Sequence, residues 1–152
     1  NPRAISLVAG FNWAYDLKPV ADAPIERDNV AYVSHPYPMK VGAPYEENWT
    51  RDFGFVADKY PVFATEMGYK LATDKGAHIP VIDDGSYGKR ITDYLGSKGI
   101  SWAAWVFDPD WSQQMITDYK SYAPTIQGKH FRAVMQKENK PTETTSIANA
   151  AN

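Results

Sequence analysis

Glu66 stands where a carboxylate can do chemistry. It ends a short β-rich run, Tyr60-Pro-Val-Phe-Ala-Thr-Glu-Met-Gly68. Pro61 opens the run, Val62 and Phe63 give it strand character, and Gly68 closes it with a residue free to adopt positive φ. A carboxylate at the carboxyl end of a buried parallel strand faces the mouth of a sheet or barrel, where α/β proteins place their reactive groups. The run alone leaves a plainer role open, a strand-end Glu in solvent or accepting backbone hydrogen bonds. Three other apolar runs end in residues of similar character: Gly10-Phe-Asn-Trp13, Ser34-His-Pro-Tyr37, and Trp102-Ala-Ala-Trp105-Val-Phe-Asp108. Taken singly these too have structural readings. His35 could be a core histidine, Tyr37 a turn aromatic between Pro36 and Pro38, and Asp108 and Asp110 loop caps. Trp111, Tyr45 and Trp49 either line a cleft or pack.

The elements that must position these residues are four nearly continuous apolar runs. They are 5–9, 30–34, 62–65 and 101–106. Lack of alternation is the mark of strands buried on both faces, as in a parallel sheet. Trp102 and Trp105, three apart on such a strand, would face opposite sides. Helices are expected from Trp49 to Lys59, with Asn48 as N-cap and Trp49, Phe53, Val56 and Ala57 inward. A second runs from Tyr87 to Lys98, followed by Gly99 as C′ residue. A third spans Gln127 to Lys137, with Phe131, Val134 and Met135 inward. Residues 12–28 hold at most a short helix. The order β-loop-β-α-β-α-β-α, with strand starts roughly 25–40 residues apart, is that of βα units joined by right-handed crossovers. Residues 1–137 read as one domain. Residues 138–152, polar and broken by Pro141, read as a tail or linker.

Composition narrows the functional classes. The chain has 152 residues, 43% of them hydrophobic, and a formal net charge of −2, as a globular domain has. That charge gives no reason to expect nucleic acid or an anionic membrane as partner, and no apolar run is long enough for a membrane span. Cysteine is absent, which excludes disulfides, thiolate zinc sites and a cysteine nucleophile. His35, His78 and His130 lie far apart, without metal-binding spacing. No metal or organic cofactor is expected. The excess is aromatic: five Trp, ten Tyr and six Phe. Flat ring faces of this kind stack on the C–H groups of pyranose sugars. The start Asn1-Pro2-Arg3 is the kind a mature or excised product would carry.

In series, ISLVAGFNW, NVAYVSHPYP, PVFATEMG and ISWAAWVFD resemble the last four strands of glycoside hydrolase family 5, the cellulase-type (β/α)₈ barrels, over roughly residues 1–137. The resemblance implies roles. Glu66 matches the catalytic nucleophile. Tyr37 matches the tyrosine that hydrogen-bonds the nucleophile, and His35 the histidine that orients the substrate network. Trp105 matches the floor of the subsite holding the cleaved sugar and Trp13 a further stacking platform; Asp108, on the same strand end as Trp105, is also expected to bind substrate. The implied activity is a retaining, endo-β-1,4-glucanase-like hydrolysis, with mannan or xyloglucan as other substrates in range. Such a reaction needs one ionised carboxylate to attack the anomeric carbon and one protonated carboxyl about 5–5.5 Å away. The polymeric substrate implies secretion.

The departure from the family is large. A full barrel needs about 250 residues, and the Asn-Glu-Pro segment that carries the acid/base occurs nowhere in this chain. The expected fold is therefore half of a TIM (β/α)₈ barrel, four parallel strands with flanking helices. Alone, it would expose two sheet edges and an apolar inner face. A separately supplied first half or a second copy in a homodimer would complete it. In a two-fold assembly, Asp108 of the second copy lies nearest the missing acid/base position. The rival expectation is a non-catalytic carbohydrate-binding or assembly module that keeps the aromatic subsites.

Overall fold

The computed structural model describes residues 4–138. Four strands, β1 (Ser6–Ala9), β2 (Val30–Ser34), β3 (Val62–Ala64) and β6 (Ser101–Trp102), form one sheet in the order β1-β2-β3-β6. All pairs are parallel: Ser6 lies opposite Val30, Tyr32 opposite Val62, and Phe63 opposite Ser101. The carboxyl ends therefore share one side, and the residues just beyond them meet there. A two-stranded parallel ladder, β4 (Lys70–Leu71) with β5 (Ile82–Asp83), lies between β3 and the next helix and was not foreseen from the sequence.

The connections explain themselves locally. Helix α1 (Tyr45–Asp52) follows Pro44, whose φ of −75° is preset for a helix start, and Glu46 and Glu47 complement the first-turn dipole. It thus begins earlier than expected. Asn48 lies inside it, donating its side-chain amide to the Gly42 carbonyl at 2.8 Å rather than capping. A 3₁₀ turn over Gly54–Asp58 replaces the helix's expected second half. Gly54 is required there, because a Cβ would overlap the Tyr94 hydroxyl. Helix α2 (Tyr87–Ser97) starts on Asp83, whose Oδ2 accepts from the Gly85 and Tyr87 amides at 2.7 and 2.8 Å. It ends as expected on Gly99, at φ +63°. There Ile100 N–H reaches the Leu95 carbonyl and Gly99 N–H the Gly96 carbonyl, closing the helix end. Helix α3 (Ile126–Glu138) buries Phe131 fully but leaves Met135 41% exposed, so Met135 is not the core residue the pattern suggested. The tail expected from 138 onward lies, beyond Glu138, outside the described residues.

The core sits between the sheet and its helices. Trp49, Phe53, Val56, Met67, Ile91, Leu95 and Phe131 are each at most 2% exposed. Their rings meet edge-on or tilted, Phe53 with Tyr94 at 5.9 Å and Trp102 with Phe131 at 5.7 Å. The β2 residues Ala31, Tyr32, Val33 and Ser34 are buried, as a central parallel strand requires. β1 departs from that pattern. Ile5 is 64% and Leu7 53% exposed, at the end of the sheet where β1 pairs with β2 alone among the described residues and its faces are left uncovered. The fourth run forms only two residues of ladder, and residues 103–106 leave the strand as a loop.

Candidate active site

Two strand ends meet at one carboxylate. Glu66 stands two residues past β3, and Tyr37 three residues past β2. The Tyr37 hydroxyl donates to Glu66 Oε2 at 3.1 Å, and His35 Nδ1 lies 3.6 Å from the same oxygen. His35 Nε2 is 2.9 Å from Thr65 Oγ1, so both ring nitrogens are engaged by the β3 end. The backbone fixes these positions. His35 N–H donates to the Ala14 carbonyl at 2.8 Å, and the buried Ser34 hydroxyl to the Tyr15 carbonyl at 2.8 Å. Tyr37 is held extended (φ −63°, ψ 154°) by the Pro38 that follows it. The Tyr87 hydroxyl donates to the Pro36 carbonyl and braces the same turn from α2.

The electrostatics assign protonation states. Burial, and then the Glu66 charge, push the Tyr37 phenol well above its ordinary value, so it remains a donor at any physiological pH. Burial pulls His35 below its ordinary value. The Glu66 carboxylate opposes that pull and the Lys40 ammonium adds to it. His35 is thus neutral near pH 7, and its contact with Glu66 is not an ion pair there. The Glu66 side chain is 32% exposed and reachable from solvent. A Glu held by a phenol at the rim of an open cleft is arranged to attack an electrophilic carbon.

A cavity of about 810 Å³ opens over this group, lined by Trp13, Ala14, His35, Tyr37, Lys40, Glu66, Ile79 and Pro80. Trp13, His35, Tyr37 and Glu66, all singled out from sequence, therefore meet. Trp13 reaches the cavity through an unusual turn. Asn12, Trp13 and Ala14 all adopt left-handed backbone (φ 54°, 53° and 63°), and the indole is 85% exposed. Paired hydrogen bonds between Phe11 and Asp16, each 2.9 Å, close the turn. At Gly10 an added Cβ would run into the Asp16 carbonyl.

Trp105 and Asp108 occupy the loop after β6. Among the described residues Trp105 is not part of this cavity's lining. Its amide donates to the Met67 carbonyl at 2.8 Å, and the Trp105–Val106 peptide is cis. Trp102 packs on Phe131. Asp108 turns its carboxylate to its own loop. It accepts from the Asp110 and Trp111 amides at 2.7 and 2.8 Å and from the Tyr119 hydroxyl. These bonds, Tyr119 foremost, hold its pKa below the usual carboxylate range.

Sequence reasoning missed Ala14, Lys40, Ile79 and Pro80 of the lining, and Gln127 beside it. Lys40 lines the cavity, yet a lone lysine in a loop carries no motif. Gln127, 4% exposed, braces the Trp105 loop. Its Oε1 accepts from Tyr69 N–H at 2.6 Å, and its Nε2 donates to the Trp105 carbonyl at 3.0 Å and to the Gln113 carbonyl. Gly68 matters for this approach rather than for positive φ. A Cβ there would stand 2.6 Å from the Trp105 carbonyl oxygen.

Residues 1–111 match the cellulase family, glycosyl hydrolase family 5. The chain is similar to an endoglucanase of Clostridium saccharobutylicum, 26% identical over 106 residues, 69% of this chain and 22% of that protein. It is also similar to endoglucanase E-5 of Thermobifida fusca, 26% identical over 91 residues, 60% of this chain and 18% of that one. A β-glucanase from Saccharophagus degradans in its native form superposes with TM-score 0.90 at 50% identity, over 92% of this chain and 43% of that one. The same β-glucanase in complex with cellotetraose gives TM-score 0.87 at 51% identity, covering 90% of this chain and 42% of that one. The chain thus spans about a fifth of its curated relatives and less than half of that solved structure. Its parallel α/β fold is that of the family's TIM barrels, and the chain belongs to glycosyl hydrolase family 5, the cellulases.

Proposed function

We propose that this chain carries the nucleophile half of a retaining, endo-β-1,4-glucanase-like glycosidase, its sheet corresponding to strands five to eight of the (β/α)₈ barrel. The observation that supports this most is the hydroxyl of Tyr37 on Glu66, with His35 against the same oxygen, at the carboxyl end of a parallel strand. Glu66 attacks the anomeric carbon and forms a glycosyl-enzyme, while a protonated carboxyl about 5–5.5 Å away protonates the leaving oxygen. Tyr37 and His35 hold Glu66, and Trp13 and Trp105 stack on sugar rings. That the solved S. degradans relative binds cellotetraose favours a β-glucan substrate, and a polymeric substrate favours secretion.

The second carboxyl comes from polypeptide beyond these 152 residues, either a further segment or a second copy. The edge of β1, where Ile5 and Leu7 are exposed, suits added strands and the layer that would cover those side chains. Asp108 is a poor candidate for that acid, since its hydrogen bonds favour the ionised form. A second reading is a glycan-binding module without hydrolysis, which the exposed Trp13 ring at the cavity would also serve. Incubation with a dinitrophenyl 2-fluorocellobioside separates the two, because the activated leaving group dispenses with the acid. The proposal expects a covalent adduct mapped to Glu66 by mass spectrometry and lost in Glu66→Gln. Sugar binding with no adduct refutes the nucleophile and supports the module.

A further inference from the structure

Trp13 is held from one side. Lys40 closes the short 3₁₀ segment Pro38–Lys40, three residues beyond Tyr37. Its ammonium lies 5.0 Å from the centre of the Trp13 ring and donates to the Asn12 carbonyl at 2.9 Å. One side chain therefore grips both the indole and the backbone of the left-handed turn that presents it. The segment bearing Lys40 is itself fixed, by Lys40 N–H on the Tyr37 carbonyl at 3.1 Å and Met39 N–H on the Pro80 carbonyl at 2.8 Å. Tyr37 also holds Glu66, so the ring's position is tied to the reactive carboxylate through a few bonds of one loop.

Resting on the glycan-site reading above, we infer that Lys40 is a positioning and specificity-determining residue, which fixes Trp13 as a one-sided platform for a pyranose ring. The cation stands over one indole face at 5.0 Å. The other faces solvent, as the 85% exposure requires, and takes the C–H face of an equatorially substituted sugar. Without Lys40 an indole so exposed samples several rotamers, and a sugar must first order it. The site then discriminates by chain length. Glycans long enough to extend from Glu66 to Trp13 gain from Lys40, and shorter ones do not.

Trp13 ring order and glycan affinity test this together, in Lys40→Met, Lys40→Arg and Trp13→Ala proteins. The indole N–H resonance of Trp13, identified by its loss in Trp13→Ala, moves or broadens in Lys40→Met and returns in Lys40→Arg. By calorimetry, cellopentaose binds Lys40→Met about three- to fivefold more weakly, as expected of an exposed cation–π contact. Cellobiose changes by less than about twofold, and Lys40→Arg restores cellopentaose binding. An unmoved resonance in Lys40→Met overturns the inference, as does unchanged cellopentaose affinity where Trp13→Ala loses it. Wild-type protein that binds neither sugar refutes the glycan site itself and the specificity role with it. Wild-type binding with an indifferent Lys40→Met refutes the role of Lys40 alone.

Discussion

Removing the carboxylate of Asp52 should loosen the loop that carries Trp13. Asp52, 2% exposed at the end of α1, accepts from the Tyr15 hydroxyl at 2.8 Å. It also accepts from Arg51 Nε and Nη2 at 2.8 and 2.9 Å, and from Lys18 Nζ at 3.2 Å. Its own carbonyl receives Leu17 N–H at 2.8 Å. Tyr15 and Lys18 belong to the β1–β2 connection, so this single side chain ties that connection to the helix layer. The Arg51 and Lys18 side chains are more than half exposed, and each pair contributes only about 0–1 kcal/mol. The Tyr15 hydroxyl is buried with its residue at 3%, and leaving it unsatisfied costs about 1–3 kcal/mol. Asp52→Ala should therefore cost about 2–4 kcal/mol, a fall in Tm of roughly 5–12 °C for a chain of this size. Urea unfolding of Asp52→Ala, Tyr15→Phe and the double variant gives the coupling directly. A coupling energy of about 1–2 kcal/mol is expected. A cost under about 1 kcal/mol, or strict additivity, would refute the assignment of Asp52 as the anchor. Acid should act on the same contact. Burial raises the Asp52 pKa, but the hydrogen bonds from Arg51, Tyr15 and Lys18 outweigh it and hold it below the ordinary value. Its contribution is full above about pH 4 and is lost as pH falls through the folded pKa.

Tyr37→Phe should slow adduct formation at Glu66 about tenfold or more by stopped-flow release of dinitrophenol, with urea stability nearly unchanged, since a charge-assisted hydrogen bond is lost at the rim. Equal rates would show that the phenol does not act on the carboxylate. Gly54→Ala should destabilise by about 1–3 kcal/mol through overpacking against Tyr94 and the Trp49 carbonyl; a neutral result in thermal melts would mean that the 3₁₀ turn shifts freely. Buried neutral, His35 resists protonation when folded, so stability is complete above about pH 6.5 and declines below it toward the folded pKa. His35→Gln should flatten stability against pH in that window, and an unchanged slope would assign it to other groups.

The strands were legible because parallel strands need continuous apolar runs, and 30–34 and 62–65 have them. The same rule misjudged Ile5 and Leu7, because burial of β1 depends on an outer neighbour that no local pattern encodes. The start of α1 was legible in Pro44 followed by two Glu, a signal outweighed in the reading by Asn48. Glu66 could be singled out because it closely follows a strand end, whereas Tyr37 and His35 were placed by the resemblance of the strand-end series to the family. Lys40, Gln127 and the Asp52 network could not be placed, since their roles arise from contacts between segments far apart in the chain. The left-handed turn at Asn12–Ala14 was hidden for another reason. None of its three residues is glycine, the usual signal for positive φ.

If Trp13 is the glycan platform proposed above, that turn sets protein stability against recognition. Three consecutive L-residues held left-handed cost roughly 1–2 kcal/mol each relative to ordinary backbone. Glycine at position 12 or 14 would relieve part of that load, yet it would also widen the conformations open to the indole between them. A screen for heat resistance would tend to select such changes and discard the presentation of Trp13, while a screen for glycan affinity would retain the strain.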